Sequence, residues 1–158
     1  MMVKLTSLLV IALLGASCLA VGAAEKVSLP KGYEKWAKSK EKVVTDKNSP
    51  FYGIHYLFVD KKALPAYQKG KGYPEGSRFV VEFYGIKEEG GKQVAGKKSM
   101  VVLMKKDKKQ SATGGWLFAG FNADGTPSKV DPVKNCFECH DRDAKARDYV
   151  ISTYADFK

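Results

Sequence analysis

Cys136, Phe137, Glu138, Cys139 and His140 stand side by side as CFECH in a chain of 158 residues that has only three cysteines and two histidines. Three chemistries use a C-x-x-C pair. A structural zinc site needs four ligands, normally supplied by two such pairs. Here the one remaining histidine is His55, and there is no second pair. A dithiol redox pair belongs at the start of a helix that follows a buried strand in a βαβ unit, whereas the preceding DPVKN, Asp131 to Asn135, reads as a polar loop. The third chemistry is c-type haem attachment, C-x-x-C-H. Both thiols add to vinyl groups of the porphyrin, and the adjoining histidine becomes the proximal iron ligand. The spacing meets that requirement, so one haem c is the expected cofactor, held through Cys136 and Cys139 with His140 on the iron. A disulfide between the two cysteines would close too short a loop to stabilise much. Phe137 and Glu138 read as spacers.

The first 24 residues read as a secretory signal peptide. Lys4 is their only charge, an apolar run follows it, and Gly22 and Ala24 form an A-x-A-like cleavage site before Glu25. A membrane anchor and a lipid anchor on Cys18 are the alternatives. The run is marginal for a span, and Gly15 stands where a lipidation signal wants a larger aliphatic residue. Cleavage would leave residues 25–158 as one haem domain, delivered to the periplasm, with both remaining cysteines inside CFECH.

Hydrophobic residues make up 44% of the chain, enough for a packed core. Loss of Lys4 leaves 26 of the 27 basic residues against 17 acidic ones. Nucleic acid is excluded as a partner for an exported chain without a base-reading motif. The positive surface serves solubility or steers an acidic redox partner.

Around CFECH the sequence predicts an α+β domain. LPKGYEKWAK carries Tyr33, Trp36 and Ala37 at helical spacing after Pro30. SPFYGIHYLFVD, SRFVVEFYGI, KSMVVLMKK and GWLFAGFN read as four strands. DKKALPAYQKG reads as a short helix capped by Asp60 and ended by Gly70. EEGGKQVAGK and KDKKQSATGG read as links between antiparallel neighbours, and Asp124-Gly125 as a turn. DRDAKARDYVISTYADF places Ala146, Val150, Tyr154 and Phe157 on one helical stripe. The architecture expected is an antiparallel β-sheet domain with short flanking helices and the haem attached near the C-terminus. All-helical cytochromes do not fit this strand content.

From about Leu29 to Phe157 the chain resembles the cytochrome P-460 family, which includes the β-sheet cytochromes c′. The resemblance rests on LPKGYEKW, SPFYGIHYLFVD, YQKGKGYPEGSRFVVEFY, GGWLFAGFN and the late CFECH. It implies an antiparallel sheet, a homodimer and a five-coordinate haem with an open distal side. It assigns Cys136 and Cys139 as attachment thiols and His140 as proximal ligand. Hydroxylamine-oxidising members also cross-link the haem through a lysine on the second strand. Val81 stands at that place, and Phe79 to Phe83 contain no lysine. The nearest type by resemblance is therefore the cytochrome c′-beta, whose members bind nitric oxide at an apolar distal face.

Strand alternation puts Phe51, His55, Leu57 and Val59 on one side of the first strand, and Phe79, Val81 and Phe83 on one side of the second. If Val81 faces the haem, Phe51, His55, Phe79 and Val81 are the expected contacts. Core packing is the alternative for each phenylalanine. Trp36, Trp116, Met100 and Met104 read as core, with the two methionines and His55 as possible sixth ligands. Arg78 reads as a propionate partner or a solvated strand-end charge. Three functions remain open. They are binding of nitric oxide or a similar small gas, electron transfer through a six-coordinate haem, and oxidation of hydroxylamine or nitric oxide as in cross-linked relatives.

Overall fold

The computed structural model describes residues 27–49 and 51–158. The expected signal segment 1–24 and Cys18 lie outside the described residues. The fold is α+β: one six-stranded antiparallel sheet with a few short helices packed on it. The strands are β1 (Ala37–Lys38), β2 (Lys42–Val44), β3 (Gly53–Val59), β4 (Arg78–Glu89), β5 (Lys92–Lys106) and β6 (Trp116–Asn122). β3 to β6 form a meander, and β1 and β2 both pair with β3 at one edge. The helices are α1 (Leu64–Lys69), α2 (Glu138–Ala144) and α3 (Tyr154–Phe157).

Three expectations are corrected. LPKGYEKWAK forms only a 3-10 turn over Tyr33–Lys35. Gly32 enters it in the left-handed region, and Trp36 leaves it extended. EEGGKQVAGK is not a link: β4 and β5 run through it and turn only at Gly90-Gly91, where φ of 56° and 74° suits a tight hairpin. The C-terminal stripe is not one helix. α2 ends at Ala144, a 3-10 turn follows over Lys145–Arg147, and Asp148 and Tyr149 turn left-handed. β-branched Val150, Ile151 and Thr153 disfavour resuming the helix, and Thr153 instead opens α3 with a capping box shared with Asp156. The helix α1 is as expected: Asp60 Oδ1 accepts from the Ala63 N–H at 2.7 Å, and Gly70 closes it left-handed. Pro65 lies at its start, where proline costs no hydrogen bond.

The cross-strand register sorts side chains onto two faces. On one, rows run His55–Phe83–Met100, Leu57–Val81–Val102–Gly120 and Val59–Phe79–Met104–Phe118. This face buries Val59, Phe79, Met104, Trp116 and Phe118 against Tyr67, Tyr73 and the C-terminal segment. The other face buries Phe58, Val80, Val101, Leu103 and Phe121 against Tyr33 and Trp36.

The second face also carries a polar hub. Glu82 is 4% exposed. It accepts from Tyr33 Oη at 2.7 Å and Tyr84 Oη at 2.8 Å, and pairs with Lys98. Burial alone would raise its carboxyl, but the bonds from Lys98, Tyr33 and Tyr84 outweigh it and hold the pKa below the ordinary 4.5. A depressed folded-state pKa contributes stability that is complete above the unfolded value and is lost as pH falls through the folded one. Below about pH 5, thermal melts of the wild type should therefore lose midpoint faster than those of Glu82→Gln. Parallel curves would show that Glu82 is not the acid-sensitive hub.

Candidate functional site

CFECH lies on one helical segment packed against β6. Asp131 starts it: its Oδ1 accepts from the backbone N–H of Val133 at 2.9 Å and of Lys134 at 3.1 Å. Val133–Phe137 forms a π-turn and α2 continues from Glu138. DPVKN is thus a helix start and not a loop, because its aspartate caps and its proline already has helical φ and ψ. That places a C-x-x-C pair at a helix start, as in a redox dithiol. Every strand pair is nonetheless antiparallel, so the described residues contain no βαβ unit. Burial, with smaller pushes from Cys139 and Asp131, raises the Cys136 thiol above its ordinary value. A redox nucleophile requires the opposite shift. Among the described residues no cluster of three or more His, Cys, Asp or Glu side chains is arranged to hold a metal ion.

His140 is held in one tautomer. Its Nδ1–H donates to the Tyr149 carbonyl at 2.6 Å, and its ring packs edge-on to Phe118 at 4.9 Å. Burial lowers its pKa against the opposing pull of the Tyr149 carbonyl and Asp143. The neutral ring therefore keeps its lone pair on Nε2.

The accepting carbonyl comes from a strained turn. Asp148 and Tyr149, at φ of 51° and 65°, are the only non-glycine residues of positive φ among those described. Each such residue costs about 1–2 kcal/mol unless its surroundings enforce it. Asp148 Oδ1 accepts from Lys106 Nζ at 2.6 Å and Trp116 Nε1 at 3.3 Å. The Tyr149 ring lies against Gly114, where an added Cβ would fall 2.3 Å from it.

Beside this segment the row Leu57–Val81–Val102–Gly120 is half-buried and apolar. Val81 sits in its middle and the row holds no charged side chain, whereas the His55 row continues onto β2 at Lys42. At one end Phe51 is 40% exposed and stacks on Phe83 at 6.4 Å. His55 packs on Phe83 at 4.5 Å. It is 9% exposed, burial lowers its pKa, and its Nε2 is buried without a partner. Phe79 belongs to the core: its ring is enclosed by Tyr67, Tyr73 and Trp116 and supports the site from beneath. Met104 is buried between Phe79 and Phe118, while Met100 is half-buried opposite Phe83. Arg78 lies toward the other face, where it pairs with Asp60 at 3.0 Å and covers Trp36 at 4.8 Å. Sequence reasoning did not find Tyr149, Asp148, Gly114 or Phe118. The first acts through its backbone, and Gly114 stood only at the end of the link KDKKQSATGG and the start of the motif GGWLFAGFN.

The family model for cytochrome P460 matches residues 30–152, well over half of the chain. The chain belongs to the cytochrome P460 family. No curated protein matches it. Membership makes this a haem-binding cytochrome, and the donors suit that group. Two thiols stand three residues apart on one helical segment. One imidazole has its Nδ1–H spoken for and its Nε2 lone pair available. A half-buried apolar strip adjoins them. This member of the cytochrome P460 family leaves the strip free of lysine at and around Val81.

Gly114→Ala should lower stability by about 1–3 kcal/mol, since alanine meets both the left-handed φ and the Tyr149 ring. A thermal melt reads this directly. An unchanged midpoint would mean that Tyr149 is not packed on residue 114.

Proposed function

We propose that this chain is an exported, periplasmic monohaem cytochrome that binds nitric oxide or a similar small gas for buffering or detoxification, with haem c attached through Cys136 and Cys139 and His140 as proximal ligand. The observation that carries the reading is the row Leu57–Val81–Val102–Gly120, apolar, half-buried and without a charged group, beside the row whose Phe118 packs on a histidine with an available Nε2. When bound, the haem supplies a ferrous iron with an open position that takes a neutral diatomic.

The chain's own groups do the rest. Cys136 and Cys139 would hold the haem, each thiol adding its S–H across one vinyl double bond with no group released. The Tyr149 carbonyl holds His140 in the tautomer that ligates through Nε2. Val81, with Phe51 and Phe83 near the edge, keeps water from the open side. A small neutral gas needs no charged partner, whereas oxygen activation or hydroxylamine oxidation wants an acid, base or donor there. Val81 also has no nucleophile to make a third covalent link, which counts against hydroxylamine oxidation. Assembly as a homodimer and an acidic redox partner steered by the excess of Lys and Arg belong to the same proposal.

Electron transfer is the second reading, and one observation favours it: the unpartnered Nε2 of His55, which as a sixth ligand would close the iron. The optical spectrum of the exported protein, with and without nitric oxide, separates the two. The expected result is a five-coordinate high-spin ferrous haem that shifts on adding nitric oxide. A low-spin spectrum in both redox states, restored to high spin by His55→Ala, would establish the second reading instead. In a denaturing gel stained for haem, wild type should keep the stain and the double variant Cys136→Ala/Cys139→Ala should lose it. Retention in that variant would rule out attachment through these thiols.

A further inference from the structure

We propose that Asp148 is a positioning residue for His140, setting the electron density of its imidazole through the Tyr149 carbonyl without touching the ring. The inference rests on the reading of His140 as proximal ligand.

The geometry is a relay from the sheet to the ring. Lys106 and Trp116 are cross-strand partners at the end of β5 and the start of β6, with the Lys106 ammonium 4.7 Å over the Trp116 ring. Both donate to the same oxygen, Oδ1 of Asp148. That carboxylate is partly buried, as is the lysine, with side-chain exposures of 26% and 17%. Asp148 and Tyr149 are consecutive left-handed residues, so the next carbonyl along the chain is aimed by the conformation that the anchor enforces. The aimed carbonyl is the acceptor for His140 Nδ1–H.

Five other hydrogen bonds hold the turn. The Tyr149 N–H donates to the Ala144 carbonyl at 2.9 Å, the Asp148 N–H to the Lys145 carbonyl at 3.2 Å, and Arg147 donates to the carbonyls of Asp143, Val150 and Ile151. All of these partners lie within the C-terminal segment itself. Among the described residues, only the Asp148 carboxylate hydrogen-bonds the turn to the sheet that carries Phe118, the side chain packed on the His140 ring. Loss of that anchor leaves the carbonyl free to drift, and a weaker acceptor at Nδ1 gives a less basic Nε2.

The test uses the assembled haem protein and three variants. Asp148→Gly removes the carboxylate but adopts positive φ without strain, so the turn and the fold survive. Asp148→Asn keeps an oxygen for Lys106 and Trp116 and also tolerates the left-handed region. Lys106→Met removes one donor from the far side. Resonance Raman reads the ferrous iron–histidine stretch, and a redox titration reads the midpoint potential. Asp148→Gly and Lys106→Met should lower the stretching frequency and raise the potential while retaining the wild-type far-ultraviolet circular dichroism. Asp148→Asn should recover most of both. If Asp148→Gly leaves both readouts at wild-type values, the anchor does not act on His140 and the proposal is overturned. If the wild-type ferrous haem is five-coordinate and still shows no iron–histidine band, the proximal assignment fails and the proposal falls with it. That outcome is recognisable before any variant is made.

Discussion

The hydrogen bond from His140 to the Tyr149 carbonyl joins two residues nine positions apart, and much of the C-terminal half is arranged so that it can form. It needs α2 to end at Ala144, two residues to turn left-handed, and the sheet to hold that turn in place. Gly114 makes room for the tyrosine ring, and Trp116 and Lys106 grip the aspartate. An acceptor at Nδ1 decides which nitrogen keeps a lone pair. The placement of one carbonyl thus determines whether His140 can act as a ligand toward the side where the thiols lie.

The sheet divides its labour by face. The face under CFECH is apolar through the Leu57 and Val59 rows, with His55 and its β2 partner Lys42 at one end and Lys106 at the other. The opposite face accommodates a buried carboxylate, and does so by surrounding Glu82 with two phenols and an ammonium. A one-residue slip of β4 would exchange Val81 with a charged neighbour and ruin both faces together. The Tyr33–Glu82 bond, bridging 49 residues, is one of the contacts that resist such a slip.

What the sequence disclosed follows from the range of the forces involved. β3 and β6 were legible because aromatic and β-branched residues alternate between firm boundaries, and α1 because Asp60 and Gly70 mark its ends. CFECH was legible because two cysteines and a histidine crowd into five residues of a chain that has few of either. The C-terminal break was not, since the left-handed pair is enforced by Lys106 and Trp116, which are distant in sequence. DPVKN misled because Asp131 and Pro132 serve equally in loops and at helix starts. Phe79 and Val81 share a face and differ in what covers them, so alternation alone could not distinguish core from strip.

The meander also bears on folding order. Strands β3 to β6 each pair with the next in sequence, so the sheet can grow by short closures that cost little chain entropy. The C-terminal segment closes over much greater distances: Tyr67 Oη donates to the Thr153 carbonyl across 86 residues, and the Lys40 N–H to the Phe157 carbonyl across more than a hundred. By that reasoning the segment bearing the thiols is the last to dock. A sheet already formed beneath unsecured cysteines would leave both thiols accessible for a period, before packing closes over Cys136.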